Sequence, residues 1–298
     1  MKKTLFTGAG VALVTPFNLD GSINYEALGM TIDYQIENGT DAICVCATTG
    51  ESPTLSDEEH IECIRFAVKR ANKRVPVIAG TGSNDTNYAI HLSQEAEACG
   101  ADGLLLVTPY YNKTTQRGLV AHFTMIANSV NIPIILYNVP SRTGLNIEID
   151  TYVELAAHKN IVGVKEASGN ISYVAKLIEA CGDSLDVYSG NDDMIVPIMA
   201  LGGKGVISVL SNILPQETHN MAQFCLQNDV ASAAALQLQY LELINALFSE
   251  VNPIPVKEAM NLMGMNVGGC RMPLYKMSAE KVTELVACLQ KHKLIPEL

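Results

Sequence analysis

Basic residues are scarce in this chain: 20 lysines and arginines stand against 31 aspartates and glutamates, a formal net charge of −11 over 298 residues. A nucleic-acid surface needs clustered cations to neutralise phosphates, so that class of partner is excluded. No stretch approaches the roughly eighteen uninterrupted apolar residues of a membrane span. No C-x-x-C pair occurs, and the eight cysteines, at 44, 46, 63, 99, 181, 225, 270 and 288, lack companion histidines at metal-ligand spacing. They read as small core residues in a reducing compartment, not as zinc ligands or disulfides. The six histidines are far apart and form no HExxH. Gly80-Thr81-Gly82 lacks the remaining glycine of a dinucleotide fingerprint, and Gly202-Gly203-Lys204-Gly205 is not a phosphate loop. Neither a metal nor a cofactor is implied, and a cytoplasmic protein is expected.

What is present is an ordinary globular composition, 48% hydrophobic and 17% charged, in a chain long enough to bury a sizeable core. The opening MKKTLFTGAGVALVTPF has the outline of a signal peptide, two lysines before an apolar stretch. Glycines 8 and 10 interrupt it, and no small-x-small cleavage site precedes Pro16, so a first strand is the expectation. Short apolar, β-branched runs then recur: GVALVT (10–15), AICVC (42–46), VPVIAG (75–80), GLLLV (103–107), IPIILYN (132–138), IVGVKE (161–166), LDVYSG (185–190) and GVISV (205–209). Between them lie segments of helical period, such as Ser56 to Arg70, where Ser56 and Glu59 form a capping box and Ile61, Ile64 and Val68 share a face. Helices between all strands imply right-handed crossovers and a parallel sheet. Near-continuous apolar strands are what a sheet covered on both faces requires. Eight such units fit a closed (β/α)8 TIM barrel better than an open doubly wound sheet, which is the alternative. From Ala231 onward the strand signal stops and three helical stretches follow. The expected organisation is a catalytic barrel over residues 1–228 and a C-terminal helical domain over 229–298, read as packing against the barrel or a sister subunit.

Active sites in barrels of this class lie at the C-terminal ends of the strands. The unusual residues there are Thr48, Thr49 and Glu51 after the second run, Tyr110 and Tyr111 after the fourth, Tyr137 and Arg142 around the fifth, and Lys165 late in the sixth. Strand alternation puts Ile161, Gly163 and Lys165 on one face and Val162, Val164 and Glu166 on the other. With the valines against the helices, Lys165 turns inward above Gly163. An amine held in a confined apolar interior has its charged form disfavoured, and the neutral form can attack a ketone to give an imine. A lysine salt-bridged to a nearby carboxylate satisfies the same spacing, and alternation does not choose between the two. Tyr137 shares the face of Ile135; taken alone it reads as a strand-end tyrosine packed under a loop, but beside an imine its phenol could carry a proton, with Thr48 or Thr49 extending the relay. Arg142, after Pro140, could grip a carboxylate through a bidentate pair or stand solvated in its loop.

Five segments, ATTGESPTL (47–55), TPYYN (108–112), YNVPSRTG (137–144), GVKEASGN (163–170) and GVISV (205–209), together resemble the dihydrodipicolinate synthase family of pyruvate-dependent class I aldolases, in order and at matching spacing from first strand to last helix. The resemblance implies that Lys165 condenses with pyruvate and that the resulting enamine attacks L-aspartate-4-semialdehyde, in lysine and diaminopimelate biosynthesis. It implies a proton relay of Thr48, Tyr111 and Tyr137, with Tyr111 reaching into a neighbouring subunit's site. Thr49 would hold the pyruvate carboxylate, Arg142 the semialdehyde carboxylate, and Gly190 and Ile207 would line the floor. A homo-oligomer follows, commonly a tetramer built as a dimer of dimers. The sialic-acid lyase branch and other sugar-acid aldolases share the lysine and the tyrosine; Arg142 favours the synthase. A barrel that only binds a keto acid would need an unreactive Lys165.

Two departures from the family pattern stand out. Ala47 replaces a glycine before the TTGE segment. Of the lysine-feedback residues, Ser52, His60, Asn84 and Tyr110 match, but Asp57 replaces a histidine and Tyr88 a glutamate. The lost glutamate would have paired with the effector's ammonium, so weak or absent lysine inhibition is expected.

Overall fold

The computed structural model describes residues 2–297. Eight parallel strands, β1 (Gly8–Ala12), β2 (Ala42–Val45), β3 (Val77–Gly80), β4 (Gly103–Val107), β5 (Ile134–Asn138), β6 (Ile161–Glu166), β7 (Asp186–Ser189) and β8 (Gly205–Ser208), close into a barrel in sequence order. This is the TIM barrel expected from the eight apolar runs. Their ends shift most at the first, which reads 10–15 in the sequence and is 8–12 in the fold. The small residues Gly8 and Ala9 carry no β-signal, yet they supply the register that closes the sheet, Gly8 beside Gly205 and Ala9 beside Val206.

The helices cover the outer face for the reason their periodicity suggests, with one adjustment. In the helix Asp57–Ala71 the Ser56–Glu59 capping box forms. The buried face runs through His60, Cys63, Ile64, Ala67 and Ala71, with Ile61 and Val68 only half-buried at its flank. Small side chains let this helix approach the sheet closely, so the deepest stripe is not the most hydrophobic one.

Inside the barrel a separate cluster joins Phe6, Cys44, Ile78, Leu105, Ile135, Tyr137, Tyr188 and Ile207. Phe6 stacks on Tyr188 with ring centroids 4.4 Å apart, and the Tyr188 hydroxyl donates to the Phe6 carbonyl at 2.7 Å. The two rings plug the N-terminal end, leaving the opposite rim as the open one.

Three further helices, Val230–Ala246, Ile254–Leu262 and Ala279–Lys291, share a core with Val14 and the segment from Val209 to Leu214, directly after β8. They therefore pack at the C-terminal end of the barrel, where strands deliver their last residues. No helix among the described residues is long and apolar enough to cross a membrane.

Closure of β8 on β1 allows no side chain at Gly205, because a Cβ there would stand 1.9 Å from the Gly8 carbonyl oxygen. Gly205→Ala is expected to lower stability by more than about 2 kcal/mol, read from the urea midpoint. Gly269→Ala, where an added Cβ meets nothing within 4 Å, is expected to change stability by less than about 0.5 kcal/mol in the same measurement.

Candidate active site

Lys165 is the last inward-facing residue of β6, 4% exposed, and lies in register between Tyr137 of β5 and Tyr188 of β7. Neighbours in a parallel ladder point to the same side, so the amine and both phenols share the interior. Gly163 makes this possible: a Cβ there would come within 3.2 Å of the Tyr188 ring that lies beneath the lysine. The Lys165 Nζ sits over the Tyr137 ring, 4.4 Å from its centroid. Among the described residues it has no hydrogen-bond partner and no carboxylate within salt-bridge distance. Burial pushes the pKa of the Cys44 thiol in the same interior up to about 11, which keeps it neutral.

The amine opens into a cavity of about 300 Å³ at the C-terminal rim. Thr48, Thr49, Tyr137, Arg142, Lys165 and Gly190 all line it. The threonines arrive on the coil after β2, whose tightness is visible in left-handed backbone at Cys46 (φ 54°) and Glu51 (φ 55°). Gly190 clears the lysine's path, since a Cβ there would lie 3.2 Å from the Lys165 Cε. Arg142 reaches the entrance from the short helix Pro140–Thr143, which the proline starts and Gly144 ends in a left-handed cap.

Asn252 ties two of these groups together. Its side-chain amide donates to the Thr49 Oγ1 at 3.0 Å, and its backbone carbonyl accepts from the Arg142 Nη2 at 3.2 Å. Because Thr49 accepts that bond, its own hydroxyl proton is free to point at a bound acceptor. Asn252, Asn245 and Phe248 bring the C-terminal helical segment into the wall of the cavity. The sequence reading of this segment as packing alone therefore needs correction. Nothing in its helical period marks Asn252, which lies between two helices beside Pro253.

Asp192 also lines the cavity, and the sequence reading missed it. Its Oδ2 accepts from the Val209 and Leu210 amides at 3.1 and 2.9 Å, while its buried Oδ1 has no partner among the described residues. Burial raises its pKa, opposed by the Ser208 hydroxyl, those amides and the charge on Lys165. Glu166, on the outer face of β6, accepts from Asn138 at 2.9 Å and from the Ser168 amide at 2.6 Å. It organises the loops after β5 and β6 and does not meet Lys165.

Two candidate residues stand apart. Ile207 is fully buried in the interior cluster with Tyr137 and Tyr188, below the cavity and not in its lining. Tyr111 is 92% exposed in left-handed backbone (φ 66°) and projects from the surface of its own chain. A bulky side chain rarely holds that conformation.

A second cavity, of about 350 Å³, shares Thr48 and Arg142 with the first and is lined further by Ser52, His60, Tyr88 and Tyr110. The Tyr88 hydroxyl donates to the Asp57 carboxylate at 2.6 Å beside it. His60 is fixed by the Gly80 carbonyl at 2.8 Å, and burial lowers its pKa. Asn84 uses its carbonyl to hold Asn112 at 2.9 Å.

The model of the dihydrodipicolinate synthetase family matches residues 5–292. A 4-hydroxy-tetrahydrodipicolinate synthase of Lachnoclostridium phytofermentans is 61% identical over 92% of this chain and 93% of the relative. The crystal structure of a dihydrodipicolinate synthase from Aquifex aeolicus superposes with a TM-score of 0.96 at 48% identity, covering 98% of this chain and all of the other. A chloride-inhibited dihydrodipicolinate synthase from Acinetobacter baumannii, solved in complex with pyruvate, gives 0.96 at 43% identity with the same coverage. A match along nearly the whole chain, on a closed barrel with a buried lysine at its rim, means that this protein belongs to the dihydrodipicolinate synthetase family.

Proposed function

We propose that this lyase is a 4-hydroxy-tetrahydrodipicolinate synthase whose Lys165 condenses with pyruvate and delivers it to L-aspartate-4-semialdehyde. One observation carries the reading: a buried lysine with no salt bridge among the described residues, facing a cavity whose entrance holds an arginine. The Lys165 amine attacks the pyruvate ketone, and the carbinolamine loses water to give an imine. Loss of a methyl proton gives the enamine, whose terminal carbon bonds to the aldehyde carbon; attack of the semialdehyde's amine on the imine carbon then closes the ring and releases the lysine. Tyr137 and Thr48 carry the protons of the dehydration. Thr49 donates its hydroxyl to the pyruvate carboxylate, while Gly190 and Ile207 shape the floor around and beneath the lysine. Arg142, held by the Asn252 carbonyl, takes the semialdehyde carboxylate.

Tyr111 completes the relay from a second copy of the chain. Its exposure and strained backbone support that role, because strain of this kind persists where function requires it. The working unit is then at least a dimer, and a dimer of dimers repeats the arrangement. Residues 1–228 act as the catalytic barrel, and 229–298 as a helical domain that supplies Asn252. Eight unpaired cysteines suit a cytoplasmic enzyme of lysine and diaminopimelate biosynthesis.

The second cavity bears on regulation. Tyr88 and Asp57 occupy each other through their hydrogen bond, leaving no carboxylate of a position-88 glutamate for an incoming ammonium.

Borohydride reduction in the presence of pyruvate is expected to add one reduced pyruvate to the intact mass, and Lys165→Ala to abolish the adduct. In an assay with pyruvate and aspartate semialdehyde, Lys165→Ala should lower turnover by more than about a thousandfold. Turnover of N-acetylneuraminate in place of the semialdehyde would overturn the assignment. Arg142→Ala is expected to raise the semialdehyde KM by roughly ten- to a hundredfold, the worth of hydrogen bonds to a charged group, with little change in the pyruvate KM. Lysine should inhibit weakly or not at all, and a low-micromolar inhibition constant would contradict the reading of Tyr88 and Asp57.

A further inference from the structure

A second lysine is buried more completely than Lys165. Lys257, 1% exposed in the helix Ile254–Leu262, places its Nζ 2.9 Å from the Glu51 Oε1. Its other two protons go to the carbonyls of Thr15 at 3.0 Å and Gly269 at 2.6 Å. All three donors of the ammonium are therefore used. Glu51, 2% exposed, turns its remaining oxygen to the Arg271 backbone amide at 2.9 Å. The Phe17 ring lies under the lysine at 4.3 Å and under the Arg271 guanidinium at 4.4 Å. Burial lowers the lysine's pKa and the Glu51 charge opposes that shift.

This ion pair sits at one end of the coil that carries Thr48 and Thr49. The coil is bracketed by two non-glycine residues in left-handed backbone, Cys46 and Glu51. Each such residue costs on the order of 1–3 kcal/mol and persists only where its surroundings over-determine it. The surroundings here are specific. The Thr15 hydroxyl donates to the Gly50 carbonyl at 2.7 Å, Asn252 donates to Thr49, and Lys257, five residues beyond Asn252, holds Glu51. The coil is thus clamped to the C-terminal helical segment at two points, one on each side of Gly50. Stability alone does not call for a buried ion pair, because apolar residues of similar volume commonly serve as well or better.

We propose that Glu51 and Lys257 are positioning residues for the reaction: their buried ion pair sets the coil so that Thr48 and Thr49 face the amine of Lys165. The inference rests on the imine reading of the site. Neither residue touches substrate, and both act through the two threonines. Loss of the pair lets the strained coil relax, which withdraws the carboxylate-binding hydroxyl of Thr49 and the proton-carrying hydroxyl of Thr48 together.

The test separates folding from positioning. Lys257→Met leaves a buried carboxylate without its cation and is expected to lower the melting temperature strongly. The double variant Glu51→Gln with Lys257→Met removes both charges and is expected to recover most of that stability. Its kcat/KM for pyruvate should nonetheless stay about a hundredfold below wild type, the scale of a misplacement of roughly 1 Å, with a raised pyruvate KM and slower borohydride trapping at Lys165. A double variant that recovers stability and trapping rate together overturns the proposal and leaves the pair a stability element. Glu51→Asp keeps the charge but shortens the reach by one methylene, and supplies the answer if the double variant does not fold. A pyruvate KM raised about tenfold in the folded Glu51→Asp protein supports positioning, whereas an unchanged KM overturns it. Failure of wild-type enzyme to trap pyruvate would instead defeat the functional reading itself.

Discussion

A closed parallel barrel delivers the C-terminal ends of all its strands to one rim, and everything chemical in this molecule depends on that constraint. The right-handed crossovers leave no choice about which end is shared. Closure itself hangs on a contact between backbones, Gly205 against Gly8, where any side chain would collide. Once β8 meets β1, Thr48, Tyr137, Lys165 and Gly190, from four different strand ends, line a single cavity. The stacked rings of Phe6 and Tyr188 seal the other end. The lysine is therefore reached from the rim.

Two buried lysines show how environment decides what a charge does. Lys257 spends every donor on Glu51 and two carbonyls, so its ammonium is satisfied and chemically inert. Lys165, nearly as deep, has a phenol ring beside it and no ion-pair partner among the described residues. Burial without a partner leaves the amine unengaged and facing the cavity. The carboxylates nearby are turned to other work. Glu166 braces Asn138 and Ser168, and Asp192 is tied by one oxygen to the backbone after β8. The inert pair and the free amine meet through the coil between Cys46 and Glu51, which the first holds and the second faces.

Much of this was legible in the linear chain, for identifiable reasons. Parallel strands buried on both faces must be apolar throughout, and eight such runs stand out against helical segments of a different period. Lys165 stood out because a charge at the end of such a run is expensive, and strand alternation assigned it a side without any structure. Arg142 and the two threonines were legible as polar groups at strand ends. Asn252 was not: an asparagine next to a proline between helices has no periodic signature, and its value comes from reaching Thr49, 203 residues away in sequence. Asp192 was hidden likewise, since an aspartate near a helix start reads as a surface cap until its burial is known. Lys257 lies within a helix whose pattern gives no sign that its polar position faces Glu51.

By itself the sequence determined the barrel, the lysine that ends its sixth strand facing inward, and the family whose motifs surround it, because these follow from local period, the cost of burying charge and spacing along the chain. Tertiary structure alone decided which polar groups meet. It placed Asn252 on Thr49 and Arg142, paired Lys257 with Glu51, left Lys165 without an ion pair among the described residues, and stood Tyr111 out in solvent. Those outcomes depend on distances between segments far apart in the chain, and no local pattern encodes such a distance.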